Sequence, residues 1–333
     1  MEFRLTAVNP LDHAEEIKQL FLAHERPEFV PFFDRAYAAA VRAGGGSWVG
    51  RDPGGHIVMH LACFPRRFRF GERDVVGGLM RDALVARPYR SFFPAHALIK
   101  RATEDTRARG SMDFVYTNPN RHAKAVMDLC GFAQVGTLER YVLPVGHRHW
   151  IVDRPIGLVH AGVRLVRGGS TLVPHAASEF AAVEFARPTG DSPRLRPYHN
   201  AAQYLARLEG YPAAADWWFT LQHNGAADTG AAGLLVRGPD SLGLAVLYAI
   251  RRDPRLPLAH LISGLAAAVR AKGCTRLQVW TLAESLFAAE VRRAGFVSRH
   301  EAAPLVATAL TPSGEAVLRA VHLWEITSLD CDH

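Results

Sequence analysis

One pattern occurs twice in this chain, and that repeat limits the fold more than any other feature. TRARGSMDFVYT, then a helical segment, then CGF in the first half matches VRAKGCTRLQVWT, a helical segment and AGF in the second. Gly110 corresponds to Gly273, and Gly131-Phe132 to Gly295-Phe296. In each copy a helix stops at glycine, a short apolar run of strand character follows, and a second helix closes on Gly-Phe. A chain of 333 residues built this way predicts two domains of one fold.

The first copy sits in a longer series. Phe3 to Val8 alternates like a strand. Asp12, with Glu15 at the capping-box position, predicts a helix through Ile17, Leu20 and Phe21. His24-Glu25-Arg26-Pro27 interrupts it, and Phe29 to Arg42 reads as a second helix ended by Gly44-Gly45-Gly46. Ser47 to Gly50, Ile57 to Phe64 and Val75 to Val85 are strands, with turns at Asp52-Pro53-Gly54-Gly55 and Gly71-Glu72. From Pro144 to about Pro197 the pattern loosens, with local strands such as Ala161 to Val166, and RPYHNAAQYLARLEGYPAAADWWF then reads as helix, turn and aromatic patch. Ser241 to Ile250 is strand-like, Pro257 to Lys272 has helical spacing, Thr275 to Thr281 is a strand and Glu284 to Ala294 a helix. Leu305 to Leu310 and His322 to Thr327 read as a terminal hairpin. The domain boundaries expected are 1–145, a connecting stretch 146–199, and 200–333.

Composition narrows the class. Hydrophobic residues make up 49% and charged residues 21%, ordinary for a core-forming protein. The net charge of +7 suits a polyanionic ligand, while the spread of the basic residues argues against nucleic acid. Cys63, Cys130, Cys274 and Cys331 are far apart, which speaks against a zinc site or a disulfide framework. No histidine pair carries acidic support, so no metal is expected. The start, MEFRLTAVNP, is too polar for a signal peptide, and no run nears the ~20 apolar residues of a membrane span, so a cytoplasmic protein is expected.

The chemistry-bearing stretch is Arg81 to Phe132: a strand, the turn Arg90-Ser91-Phe92-Phe93-Pro94-Ala95, a helix, a second strand and a helix capped by Asn120. An arginine-bearing turn that opens a helix is a ready anion site, because unpaired N–H groups converge there and the dipole favours negative charge. Pro94 suits a first helical turn. An aromatic strand–helix turn packed on the core is the plainer reading of the same residues.

This order of elements, β-α-α-β-β-β-α-β-α, and the Arg81 to Phe132 stretch resemble the acyl-CoA-binding half of the GNAT acyltransferase superfamily. The resemblance implies an α/β (α+β) architecture of two tandem GNAT-like domains, with mixed, mostly antiparallel sheets flanked by helices. It implies acetyl-CoA or another acyl-CoA as co-substrate, its pyrophosphate at Arg90, Ser91, Phe92, Phe93 and Ala95. Phe93 stands where the family's R-x-x-G-x-G/A pattern has its inner glycine. The strand before the turn splays from its neighbour in the family, so Leu84, Val85 and Arg87 are implied pantetheine contacts. Asn120 and Lys124 are implied near the cofactor, with Arg121 also in reach of phosphate. Asp82 stands where many relatives carry an acidic residue and is the candidate base, with a salt bridge to Arg81 or Arg87 as the other reading. His24 and Glu25 fall in the loop that lines the acceptor site in the superfamily. The tyrosine that often serves as general acid is replaced by Met127, which leaves Tyr116 and Tyr89 as candidates by sequence.

The second half lacks the phosphate turn: Ile250-Arg251-Arg252-Asp253-Pro254-Arg255 has no glycine, and Val291 fills the tyrosine position. It reads as a degenerate copy. YLARLEGYP and WEITSLDCDH are similar to a subset of tandem GNAT proteins from surface-polysaccharide gene clusters, the match lying on Tyr204, Leu205, Arg207, Pro212, Trp324, Asp330 and Asp332. That likeness implies N-acyl transfer to a primary amine of a nucleotide-linked amino sugar. No cysteine or serine sits in a nucleophile motif, so direct attack in a ternary complex is expected. An aminoacyl-tRNA-dependent peptidoglycan-precursor ligase and a non-catalytic binding protein of the same fold remain as alternatives.

Overall fold

The computed structural model describes residues 3–24, 26–146, 170–176, 194–197, 216–223, 226–237, 242–252 and 257–327. In chain order come β1 (Arg4–Val8), α1 (Ala14–Ala23), α2 (Phe33–Arg42), β2 (Gly46–Arg51), β3 (Ile57–Phe70), β4 (Arg73–Val85), α3 (Phe92–Arg109), β5 (Phe114–Thr117), α4 (Arg121–Leu129) and β6 (Ala133–Pro144). Then follow β7 (Ser170–Ala176), β8 (Leu195–Pro197), β9 (Asp216–His223), β10 (Ala226–Arg237), β11 (Leu244–Arg252), α5 (Leu258–Ala271), β12 (Arg276–Leu282), α6 (Leu286–Arg293), β13 (Val297–Ala309) and α7 (Pro312–Arg319).

The repeat is a structural one. β4-α3-β5-α4-β6 and β11-α5-β12-α6-β13 have the same order, and β4 pairs parallel with β5 as β11 does with β12. The matched glycines explain the sequence signature. Gly110, Gly273, Gly131 and Gly295 have φ of 63°, 85°, 82° and 96°, the left-handed conformation in which these helices end.

Among the described residues all strands join one sheet, in the order β1-β2-β3-β4-β5-β13-β6-β12-β11-β10-β9-β7, with β8 paired to the far end of β3. Its centre is an exchange. β13, the last strand of the second half, lies antiparallel between β5 and β6 of the first. β6 in turn lies between β13 and β12. Each half therefore borrows the other's last strand, and the two expected sheets fuse into one.

Helices cover both faces. Residues next to each other on a strand face opposite ways, so His60 meets Phe21 of α1 and Tyr37 of α2, while Trp48 donates from Nε1 to Asp105 of α3 at 2.9 Å. Further along, Trp324 is fully buried against Phe114 and Tyr116, with Nε1 donating to the Val317 carbonyl.

Three sequence expectations are corrected. Asp12 is not the cap of α1: Asn9 accepts from Leu11 N and opens a 3₁₀ turn at Pro10–His13, and α1 follows it. Asn before Pro is the stronger start signal. The second helix begins at Phe33, because Pro27 and Pro31 hold Pro27–Phe32 as a 3₁₀ turn. The terminal hairpin is absent: β13 is followed by α7, where Thr311 caps Gly314 N at 3.1 Å and Pro312 takes the first helical position. The Ala161 to Val166 segment lies outside the described residues.

Candidate functional site

β4 and β5 are paired only at Gly77–Phe114, Gly78–Val115 and Leu79–Tyr116. β5 stops at Thr117, while β4 continues to Val85 with β3 as its ladder partner. The two strands thus open a wedge whose β4 wall offers backbone groups on the side that β5 has left. Leu84 and Val85 lie on that wall, half-buried against the core of the first half.

The wall carries a bulge. Ala62 faces Arg81 and His60 faces Leu84, so β4 has one residue more than β3 across this step. Asp82, in the bulge, has φ 55°. A left-handed non-glycine residue costs on the order of 1–3 kcal/mol and persists where its surroundings hold it. Three contacts do so here. Tyr37 donates its hydroxyl to Asp82 Oδ2 at 2.7 Å, Arg81 Nε donates to Oδ1 at 3.0 Å, and His60 Nδ1 lies 3.0 Å from the Asp82 carbonyl oxygen. Burial, and then the Asp82 charge, push the Tyr37 phenol well above its usual pKa, so it acts as the donor. The Asp82 side chain is only 4% exposed. Asp82 therefore lies in the bulge of β4, with its carboxylate ion-paired to Arg81.

Beyond Val85 the chain makes a 3₁₀ turn at Arg87–Tyr89, extends at Arg90 and Ser91, and enters α3 at Phe92. No side chain caps this helix start. Its first N–H groups have no partner within the helix. Arg90 donates from Nε to the Val85 carbonyl at 3.0 Å, which ties the guanidinium to the end of β4. Arg90, Ser91 and Phe93 line a cleft of about 490 Å³ with Tyr89, Leu5 and Met59. Phe93 is 78% exposed, so the residue in place of glycine points out of the core. Arg87 is exposed and Ala95 half-buried in the first turn of α3, where Phe92 stacks on His96. A helix start with an arginine beside it and a largely apolar cleft next to it suits a phosphate-bearing organic ligand.

Asn120 caps α4 as expected, accepting from His122 N at 3.1 Å and Ala123 N at 2.9 Å. Lys124 is paired with Asp128 at 2.9 Å. Met127 is core. Tyr116 is corrected as a candidate acid: it is fully buried among Phe68, Phe114 and Trp324. Tyr89 donates its hydroxyl to Asp52 at 3.1 Å, which raises its pKa. His24 ends α1. Glu25, Tyr204, Leu205, Arg207, Pro212, Asp330 and Asp332 lie outside the described residues, as do Asp253 to Arg255. Among the described residues no group of three His, Cys, Asp or Glu side chains is placed to hold a metal, and no helix is long and apolar enough to cross a membrane.

Sequence reasoning missed Tyr37 and His60, which surround the bulge. Both lie far from Asp82 in the chain, inside ordinary helix and strand patterns, so no local signal marks them.

No family model matches the chain, and no curated protein matches it. Solved structures do. A GCN5-related N-acetyltransferase from Kribbella flavida aligns over 94% of this chain and 73% of its own, at 14% identity and a TM-score of 0.60. One from Anabaena variabilis aligns over 94% and 74%, at 9% identity and 0.63. A tandem GNAT protein from the clavulanic acid biosynthesis pathway aligns over 93% and 99%, at 15% identity and 0.55. The chain has the tandem GNAT fold, a mixed sheet flanked by helices.

Proposed function

We propose that this chain is an N-acyltransferase that moves an acyl group from acyl-CoA to a primary amine, with the co-substrate in the first half. The observation that carries this is the series on one strand: wedge, bulge and uncapped, arginine-flanked helix start along β4. Pyrophosphate at the start of α3 leaves the pantetheine arm to run along β4, its amides bonding the backbone that β5 has left. Similar structures support the co-substrate class: they include N-acetyltransferases and a Saccharomyces cerevisiae N-myristoyltransferase with bound myristoyl-CoA, the latter at 11% identity and a TM-score of 0.52 over 92% of this chain and 79% of its own.

The matching wedge of the second half is occupied by the chain itself. Pairing of β11 with β12 stops at Val246–Gln278. Beyond it Thr281 on β12 donates to the Ile326 carbonyl at 2.8 Å, and Thr327 donates to the Tyr248 carbonyl on β11. Ile326 and Thr327 are buried. One acyl-CoA per chain follows.

The amine nitrogen bonds to the thioester carbon while the carbonyl oxygen takes the electron pair. Collapse breaks the C–S bond, releases the thiolate of CoA and leaves a proton to be removed from nitrogen. Backbone N–H groups of the bulged strand polarise the carbonyl. Asp82 is the acidic group on the bulge and the candidate to accept that proton, through Tyr37 or a water. The acceptor we favour is a nucleotide-linked amino sugar, whose phosphates suit the +7 charge.

The experiment is calorimetry with acetyl-CoA and longer acyl-CoAs, followed by thiol release with a panel of free and nucleotide-linked amino sugars. A ligand at ~100 times its dissociation constant stabilises by roughly 2.7 kcal/mol. Absence of binding by every acyl-CoA at millimolar concentration refutes the proposal; transfer to free but not nucleotide-linked sugars refutes the acceptor alone.

A further inference from the structure

We infer that His60 is a positioning residue for this reaction: its imidazole holds the β4 bulge so that the Ala83 N–H faces into the wedge. The inference rests on the acyl-transfer reading above. His60 is fully buried on β3. Nδ1 lies 3.0 Å from the Asp82 carbonyl oxygen, and Nε2 lies 3.3 Å from Ser47 Oγ on β2. The ring is fixed by the edge of Phe21 on α1 at 5.4 Å and by Tyr37 on α2 at 5.8 Å.

A neutral imidazole has one N–H and one acceptor nitrogen, and a carbonyl oxygen only accepts. Nδ1 therefore carries the hydrogen, and Nε2 accepts the Ser47 hydroxyl proton. Burial holds the pKa of His60 below its usual 6.5, which keeps this neutral form.

The consequence lies in the next peptide. A trans peptide sets its C=O and N–H on opposite sides, and no described peptide bond is cis. The Asp82 carbonyl is aimed at a side chain of β3, so the Ala83 N–H is aimed away from β3. On that side β5 has already parted from β4. Tyr37 and Arg81 tie the Asp82 side chain, while His60 is the contact on its carbonyl; without it the peptide is free to turn and carry the N–H out of the wedge. A donor aimed beforehand at the place where oxygen gains charge is the arrangement that speeds acyl transfer. His60 itself touches no reactant and acts through the backbone.

Three variants separate this from packing. His60→Asn places an amide donor near the position of Nδ1 and keeps the carbonyl contact. His60→Gln reaches towards Ser47 and loses the carbonyl. His60→Leu keeps the bulk and loses both. The readout is the infrared carbonyl stretch of bound acetyl-CoA labelled with ¹³C at the thioester carbon, beside turnover and acetyl-CoA affinity. Wild-type and His60→Asn should lower the frequency relative to free acetyl-CoA. His60→Gln and His60→Leu should lose that shift and fall ~10²-fold or more in turnover, the cost of one lost oxyanion donor, with affinity within about threefold. An unchanged shift in either His60→Gln or His60→Leu overturns the inference, as does His60→Asn behaving like His60→Leu. Wild-type protein that binds no acetyl-CoA overturns the acyl-transfer reading and this one with it, whereas binding with a shift indifferent to His60 overturns this one alone.

Discussion

Reversing the charge of Arg90 tests the cofactor site directly. The guanidinium is exposed at the start of α3 and anchored to the Val85 carbonyl at 3.0 Å. Two unit charges ~4 Å apart in water interact by about 1 kcal/mol. Arg90→Glu replaces that attraction to one phosphate charge with an equal repulsion, a swing of about 2 kcal/mol, or ~30-fold in affinity. At ~4 Å the pair lies within the Debye length of ~10 Å at 0.1 M salt, so screening is partial and the loss should shrink as salt rises. Arg101→Glu is the control: it lies on α3, which starts at Phe92 just after Arg90, roughly 14 Å along the helix from that start at ~1.5 Å per residue. Calorimetry with CoA at low and at physiological salt should show the large loss only at Arg90. Affinity within about threefold of wild type, or equal losses at both positions, refutes the placement of the pyrophosphate.

Three further outcomes are expected. Acyl-CoA should titrate to one equivalent per chain, since the second wedge holds Ile326 and Thr327; two equivalents would show that this segment is displaced. Asp82→Asn keeps a residue that tolerates left-handed backbone and removes the charge. Turnover should fall roughly 10²-fold with acyl-CoA affinity nearly intact, whereas unchanged turnover across pH assigns the carboxylate to the Arg81 ion pair alone. The depressed pKa of His60, caused by burial and opposed by the Asp82 carbonyl and charge, links stability to pH. The unfolded state takes up the proton first, so His60's contribution is present above pH ~6.5 and lost as pH falls from there towards the folded-state value, at up to about 1.4 kcal/mol per pH unit. Denaturant titrations at pH 7 and 5 should show a steeper acid loss for wild type than for His60→Asn, which keeps Tyr37, Arg81 and Asp82; equal losses refute it.

The elements that the sequence made legible are those with a local cause. The repeat could be read because four helix ends need left-handed backbone, and glycine fills all of them. The cap at Asn120 and the core position of Met127 follow from spacing within one helix. The features that stayed hidden depend on distant partners. The Asp82 bulge is a difference in length between β3 and β4, and no stretch of either strand announces it. His60 stands between Met59 and Leu61 in an apolar strand and gains its role only when the Asp82 carbonyl turns towards it. The helix after β13 was lost because a strand-like run at Leu305 to Leu310 masked the Thr311-Pro312 start.

The strand exchange gives the second half a reason to persist although its own wedge is filled. β5 has only four residues, and β4 pairs with just Phe114, Val115 and Tyr116 before the wedge opens. The other edge of β5 is held along its whole length by β13, from Ala309–Phe114 to Val306–Thr117. Asp113, just ahead of β5, accepts from Thr311 Oγ1 at 2.9 Å at the cap of α7, and Trp324 packs on Phe114 and Tyr116 from the same segment that enters the second wedge. One wall of the first wedge is thus the bulged β4, held by His60, and the other is a short strand held by the second half. On the acyl-transfer reading proposed above, a second half whose own wedge is filled keeps its place because the first wedge is built against it.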